Sequence, residues 1–216
     1  MNTIVERFEK IKSKIISLKP PQKVDIIAVS KTFSLEYVKP LVDYGHIHFG
    51  ENKVQEAKSK WSDVKKINSK IKLHMVGKLQ SNKAKVAFEL FDYIHSLDSQ
   101  KLADIFSNCE KNNPKKINYF IQINLGNELQ KSGVSLTELD KFYDYCVKEK
   151  NLNIIGLMAI PPNDSNAKSH FTKLNELNKS LGLQELSMGM SADYEQAICL
   201  ESTFVRIGSS IFGSRN

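Results

Sequence analysis

Eight short apolar runs, each followed by a longer amphipathic stretch, constrain this chain more than any single residue does. The runs cover 24–30, 46–50, 73–77, 93–96, 119–124, 154–160, 185–188 and 204–207. Helical patterns fill the intervals at 35–44, 54–67, 81–90, 100–112, 136–150, 165–181 and 193–200. Strands alternating with helices of this length are βα units, whose crossovers lay the strands parallel. Eight such units predict a closed (β/α)8 TIM barrel of the α/β class, compact at 216 residues for a fold that usually needs roughly 200 or more. An open doubly wound sheet is the alternative. It would usually carry a glycine-rich loop after its first strand, where this chain has Ser30-Lys31-Thr32 instead. An extra N-terminal helix is expected over 1–19, with Ile4, Val5, Phe8, Ile11, Ile15 and Ile16 near helical spacing. No linker-like composition divides the chain, so a single domain over 1–216 is expected.

Charges interrupt the N-terminal pattern, so it does not read as a signal peptide, and no run approaches the roughly 18 apolar residues of a membrane span. A cytoplasmic protein without a membrane partner is expected. Cys109, Cys146 and Cys199 are far apart and form no CxxC or Cys/His grouping, which predicts reduced thiols used in packing and no metal site. The net charge is +7, but its lysines are spread over many helix faces without an aromatic-basic recognition segment. That pattern predicts no nucleic-acid partner.

In a (β/α)8 barrel the active site gathers at the C-terminal ends of the strands. Lys31 follows the unbroken run Ile26-Ile27-Ala28-Val29-Ser30. Its amine, if held neutral there, could condense with an aldehyde; alternatively its stem lies along apolar surface and its amine reaches water. Ser187-Met-Gly-Met-Ser191 and Arg206-Ile-Gly-Ser-Ser-Ile-Phe-Gly213 follow strands seven and eight with small residues. Loops in those two places often form a phosphate site with a short helix N-terminus. Arg206 is expected inside the barrel, where it would donate to a pyridine nitrogen and never accept from it. Asn52, at the end of strand two in Phe49-Gly-Glu-Asn52, either bonds a ring substituent or caps the helix before Val54. His74 reads as a satisfied core histidine. Ser135-Leu-Thr-Glu138 has the form of a capping box.

IIAVSKT around Lys31, HFGEN at 48–52, VGKLQSNK at 76–83, GLMAI at 156–160, SMGMSADYEQAI at 187–198 and VRIGSSIFGSR at 205–215 together resemble the pyridoxal phosphate homeostasis protein family, the YggS/PROSC type. The resemblance runs in order through nearly the whole chain. It implies a barrel like the N-terminal domain of alanine racemase, of the PLP fold type III kind, holding pyridoxal 5′-phosphate (PLP) as a covalent aldimine on Lys31. By the same resemblance Ser191 with the Gly208 and Ser209 backbone would bind the phosphate, Arg206 would face the ring nitrogen, and Asn52 would lie beside the ring. Leu73 and Met75 stand where the family commonly has aromatic residues, and Glu201 where glycine is frequent.

The function so implied is to carry or buffer PLP in vitamin B6 and amino-acid homeostasis, without established turnover, with PLP-dependent apoenzymes as partners. A PLP-dependent amino-acid racemase is the alternative. It requires an acid/base on each face of the substrate carbon, and no residue opposite Lys31 is singled out, Tyr194 being a local candidate. Alanine racemase takes its opposing tyrosine from a further domain across a dimer interface, and this chain ends at Asn216, so a monomer is expected. A barrel that uses Lys31 only to neutralise a sugar phosphate is a third reading. Lys83 and Lys131 are candidate secondary aldehyde sites.

Overall fold

The computed structural model describes residues 2–126, 132–162 and 166–213. Eight parallel strands close into a barrel in sequence order: β1 (Asp25–Val29), β2 (His48–Glu51), β3 (Lys72–Met75), β4 (Tyr93–Leu97), β5 (Asn118–Gln122), β6 (Ile154–Met158), β7 (Glu185–Met190) and β8 (Phe204–Ile207). The first and last strands seal the ring, with Ile26 opposite Val205 and Ile27 opposite Arg206. Lys131 and Ser165, and the last residues of the VRIGSSIFGSR segment, lie outside the described residues.

Helices fill the intervals: α1 (Thr3–Ser17), α2 (Leu35–Asp43), α3 (Val54–Ile67), α4 (Ala84–Leu90), α5 (Gln100–Lys111), α6 (Leu139–Asp144), α7 (Ala167–Ser180), α8 (Tyr194–Cys199) and α9 (Ser209–Phe212). Asn2 caps α1, accepting from the Ile4 backbone N–H at 2.9 Å. The apolar face of α1 buries Ile4, Val5, Phe8, Ile11 and Ile15 against α2 and α9. This is the expected additional N-terminal helix.

Side chains alternate along each strand, which divides the core in two. Ile26 and Ala28 of β1 join the larger cluster between barrel and helices, with Phe49, Trp61, Leu73 and Met75. Ile27 and Val29 join Phe120, Met158 and Phe204 in a smaller cluster inside the ring. The aliphatic residues at 73 and 75 are therefore outer-core residues, both essentially fully buried.

Two elements depart from the expected pattern. The 136–150 stretch is not one helix: Ser135 Oγ donates to a Glu138 carboxylate oxygen at 3.0 Å in a turn, and α6 begins only at Leu139. Val134 is bridged to Ile123 beside β5, which holds the chain extended immediately before that turn. After α6 the backbone widens into a π turn over Tyr145–Glu149. Tyr145 OH donates to Asp104 at 2.7 Å and Ser107 Oγ donates to the Lys150 carbonyl at 2.8 Å, anchoring the widened turn to α5. The other departure is in β7, whose pairing with β8 shifts register between Ser187 and Met190. Gly189 there has φ +89°, and a Cβ on it would stand 2.6 Å from Ala197 Cβ. The kink lets α8 approach β7 closely and turns the following residues over the barrel mouth.

Cys146 is buried, Cys109 half-buried and Cys199 exposed, all as free thiols, so the packing role fits the first two and not Cys199. No described group of His, Cys, Asp and Glu could hold a metal ion. No described helix is long and apolar enough to cross a membrane.

Candidate functional site

A cavity of about 630 Å³ opens at the C-terminal mouth of the barrel. Lys31, Asn52, Ser191, Arg206, Gly208 and Ser209 all line it. Val29, Phe33, Ile160 and Met190 supply apolar wall. Asp98 and Asn124, also at strand ends, are not among the lining residues.

The turn carrying Lys31 is held from both sides. Ser30 is fully buried, and its Oγ donates to Glu51 Oε1 at 2.8 Å. Lys60 Nζ donates to the Ser30 carbonyl and to Glu51 Oε1, each at 2.8 Å, and to Glu56 Oε1 at 3.2 Å. Trp61 Nε1 donates to Glu51 Oε1 at 2.9 Å. On the other side, the Thr32 backbone N–H donates to Glu56 Oε1. Thr32 has φ +70°, a left-handed conformation that costs a non-glycine residue about 1–3 kcal/mol and persists only where the surroundings impose it. The Lys60–Glu51 pair is almost wholly excluded from water, at 6% and 0% side-chain exposure. Glu51 was legible as a carboxylate at the end of strand two in Phe49-Gly-Glu-Asn52, but Glu56, Lys60 and Trp61 were not legible as site residues. Their only sequence signal is the i,i+4 spacing of Glu56 and Lys60, which any exposed helix face also carries.

Asn52 is not a helix cap. The residue in the cap position of α3 is Lys53, with no side-chain cap bond. Asn52 Oδ1 is buried and accepts no hydrogen bond. Its placement depends on Gly77, where a Cβ would lie 2.5 Å from both Asn52 Cβ and the Asn52 carbonyl oxygen. A side chain at 77 and the observed position of Asn52 are thus incompatible.

Arg206 points into the barrel and is 4% exposed. Nη1 donates to the Ser187 carbonyl at 2.8 Å and to Ser187 Oγ at 2.7 Å, and Nη2 donates to the Ala159 carbonyl at 2.9 Å. Burial lowers its pKa to about 10, opposed by the Asp193 charge, so the guanidinium stays protonated at neutral pH. A guanidinium has five N–H donors, and donors remain over for the cavity. His74 is the satisfied core histidine expected of it, bonded to His48 and His95 at 2.9 Å each. The partnership of those three histidines was not legible, because His48, His74 and His95 lie on three successive strands that only the barrel brings together.

Beside the end of β1, Gly208 and Ser209 lead into α9, a Cβ on Gly208 standing 3.3 Å from the Val29 carbonyl oxygen, and Ser191 follows β7. The Ser210 backbone N–H reaches Ser191 Oγ at 3.4 Å, joining the two loops. Asp193 ties off the β7 loop by accepting from the Met190 N–H at 2.6 Å. Lys83 ends a single 3-10 turn and is not a cavity-lining residue; neither is Tyr194.

A family model described as alanine racemase, N-terminal domain, matches residues 2–216. The pyridoxal phosphate homeostasis protein of Vibrio alginolyticus is 36% identical over 231 positions, covering 100% of this chain and 99% of that protein. Its namesake in Escherichia coli K12 is 33% identical over 230 positions, covering 100% and 98%. The chain belongs to the pyridoxal phosphate homeostasis protein family. PipY of Synechococcus elongatus PCC7942, solved with PLP bound, matches with a TM-score of 0.87 at 32% identity, over 97% of this chain and 100% of that one. Alanine racemase of Clostridium difficile 630 matches with a TM-score of 0.70 at 13% identity, over 94% of this chain and 55% of that one, which shows a shared barrel fold and no more. The six segments that resemble the pyridoxal phosphate homeostasis protein family converge in space: Lys31, Asn52, Gly77, Ile160, Ser191 and Gly208, one from each, line the same cavity.

Proposed function

We propose that this protein, as a single cytoplasmic unit over 1–216, binds PLP in the barrel mouth and carries or buffers it for vitamin B6 and amino-acid homeostasis. The observation that carries the reading is the convergence on one cavity of an amine, a buried guanidinium and two small-residue loops. Those are the groups needed by an aldehyde, a pyridine nitrogen and a phosphate respectively. Asn52 Oδ1 adds a buried acceptor without a donor, which a ring hydroxyl would satisfy. Family membership and the PLP-bound PipY structure support the same ligand.

When bound, PLP supplies an electrophilic aldehyde and an electron-withdrawing ring. Lys31 Nζ is the group in reach that can attach the aldehyde covalently. Arg206 donates to the ring nitrogen and, staying charged, gives it no proton, so the ring withdraws electrons weakly. The clamp on Ser30 and Thr32 fixes where the amine emerges. Ser191 and the backbone of Gly208 and Ser209 hold the phosphate. Among the described lining residues Lys31 is the one acid/base group at the cavity's reacting end, and racemisation needs two on opposite faces. That favours holding the cofactor over turning over an amino acid.

Purified protein incubated with PLP is expected to gain visible absorption that borohydride shifts and fixes, with the label mapped to Lys31. Absence of PLP uptake would sink the reading. Incubation with single isomers of alanine, serine and threonine separates carrier from racemase: multiple turnovers abolished in K31A would defeat the carrier reading. We further propose a monomer that delivers PLP to apoenzymes. Transfer that survives a trap for free PLP supports delivery in contact; transfer abolished by the trap reduces the role to buffering.

A further inference from the structure

Three histidines run up the inside of the barrel. His48, the first residue of β2, stands at the N-terminal rim. Its Nδ1 is 2.9 Å from His74 Nε2, His74 Nδ1 is 2.9 Å from His95 Nε2, and His95 Nδ1 is 2.9 Å from Ser187 Oγ. Ser187 Oγ also receives Arg206 Nη1 at 2.7 Å, at the cavity. The rings are wedged: Tyr93 stacks on His74 at 4.2 Å between centroids and Phe120 on His95 at 4.3 Å, with Phe204 against all three histidines.

The order of the protons follows from donor and acceptor capacity. A guanidinium only donates, so Ser187 Oγ accepts from Arg206. The hydroxyl proton then goes to its other partner, His95 Nδ1. A neutral imidazole has one donor and one acceptor. His95 therefore carries its proton on Nε2 and donates to His74 Nδ1. His74 likewise donates from Nε2 to His48 Nδ1, and His48 ends the chain with its N–H on Nε2. In the reverse order Ser187 Oγ would receive two donors, and its own proton would meet neither partner. Burial pushes both His74 and His95 well below the usual histidine range, so the neutral count holds at neutral pH.

We propose that His48, His74, His95 and Ser187 form one polarised hydrogen-bond chain that positions Arg206 at the cofactor cavity. The chain makes the Ser187 hydroxyl an obligate acceptor. With the Ser187 and Ala159 carbonyls, that gives the guanidinium three acceptors around one buried position, which a donor-only side chain alone satisfies. The link to cofactor binding rests on the reading above, in which Arg206 faces the ring of PLP. The proton order does not.

Histidine ring ¹⁵N NMR of the cofactor-free protein at pH 7.5 tests the order directly. Wild-type protein is expected to show the Nε2–H tautomer at His48, His74 and His95. R206M removes the polarising donor, and His48, at the opposite rim, then shows both tautomers, whereas R206K restores one. A tautomer mixture or Nδ1–H in the wild type, or an unaltered order in folded R206M, would overturn the chain. Should R206M fail to fold, S187A makes the same cut while leaving the backbone carbonyl contact in place. S187A is also expected to bind PLP about tenfold more weakly by absorbance titration, the effect of one hydrogen bond to a charged group. Unchanged affinity in S187A would overturn the positioning role. A wild type that takes up no PLP would defeat the proposed function and leave the tautomer result standing.

Discussion

A reactive lysine needs a fixed point of emergence, and here the neighbours of Lys31 supply it. Lys60 reaches back from α3 to hold Ser30 and Glu51, so removing its amine would leave a buried carboxylate uncompensated. K60M is expected to cost about 3–5 kcal/mol in denaturant unfolding, the penalty for breaking a buried pair from one side. In K60M/E51Q the loss should be smaller than in K60M, since the orphaned charge is gone. A K60M protein as stable as wild type would remove the clamp from the argument. G77A tests the second fixed residue: its Cβ must displace Asn52, with an expected loss of about 1–3 kcal/mol from overpacking and weaker PLP retention. Lys31 itself is legible in the sequence because an apolar strand ends at it. Lys60 is not, because its partnership spans 30 residues from the Ser30 carbonyl and leaves no local pattern.

At the scale of elements, hydrophobic periodicity places every strand, with β8 matched at both ends and the others within a few residues. It fails where backbone geometry changes inside one apolar pattern. The π turn after α6 keeps a helical spacing of apolar residues, and β7 keeps its strand character through the shift at Gly189. Glycine is required at that shift, for reasons of conformation as well as space. G189A would force a non-glycine residue into φ +89° with its Cβ 2.6 Å from Ala197. A loss of about 2 kcal/mol or more is expected, combining left-handed strain with overpacking. Because Ser191 follows the kink, PLP affinity should fall further in G189A than in A197G, which opens space beneath the kink without altering φ. Equal affinities in the two variants would show that the kink does not aim the loop. Glu201 adopts φ +69° as well, a left-handed conformation that favours glycine.

Folding of the barrel draws four histidines out of water, His48, His74 and His95 inside the ring and His46 outside it against Phe8 and Phe49, and that has a cost at low pH. His46 is pushed down to about 4, chiefly by burial, and His48, His74 and His95 are also lowered with burial as the largest cause. A histidine with a depressed native pKa is neutral when folded and takes a proton on unfolding once the pH falls below the unfolded value of about 6.5. Stability is therefore fully present above about 6.5 and is lost as the pH falls toward the native values. Each such histidine adds up to about 1.4 kcal/mol per pH unit to the slope, and His46 alone accounts for roughly 3 kcal/mol by pH 4. Denaturant midpoints should be level from pH 8 to 7 and fall steeply from 6.5 to 5, before most carboxylates titrate. H46Q, which keeps a polar donor, should flatten that fall by about one histidine's share. A stability profile flat between pH 7 and 5 would mean that these rings are hydrated or already charged in the native barrel. The neutral interior, and with it the donor-acceptor count that orders the protons beneath Arg206, would then be lost.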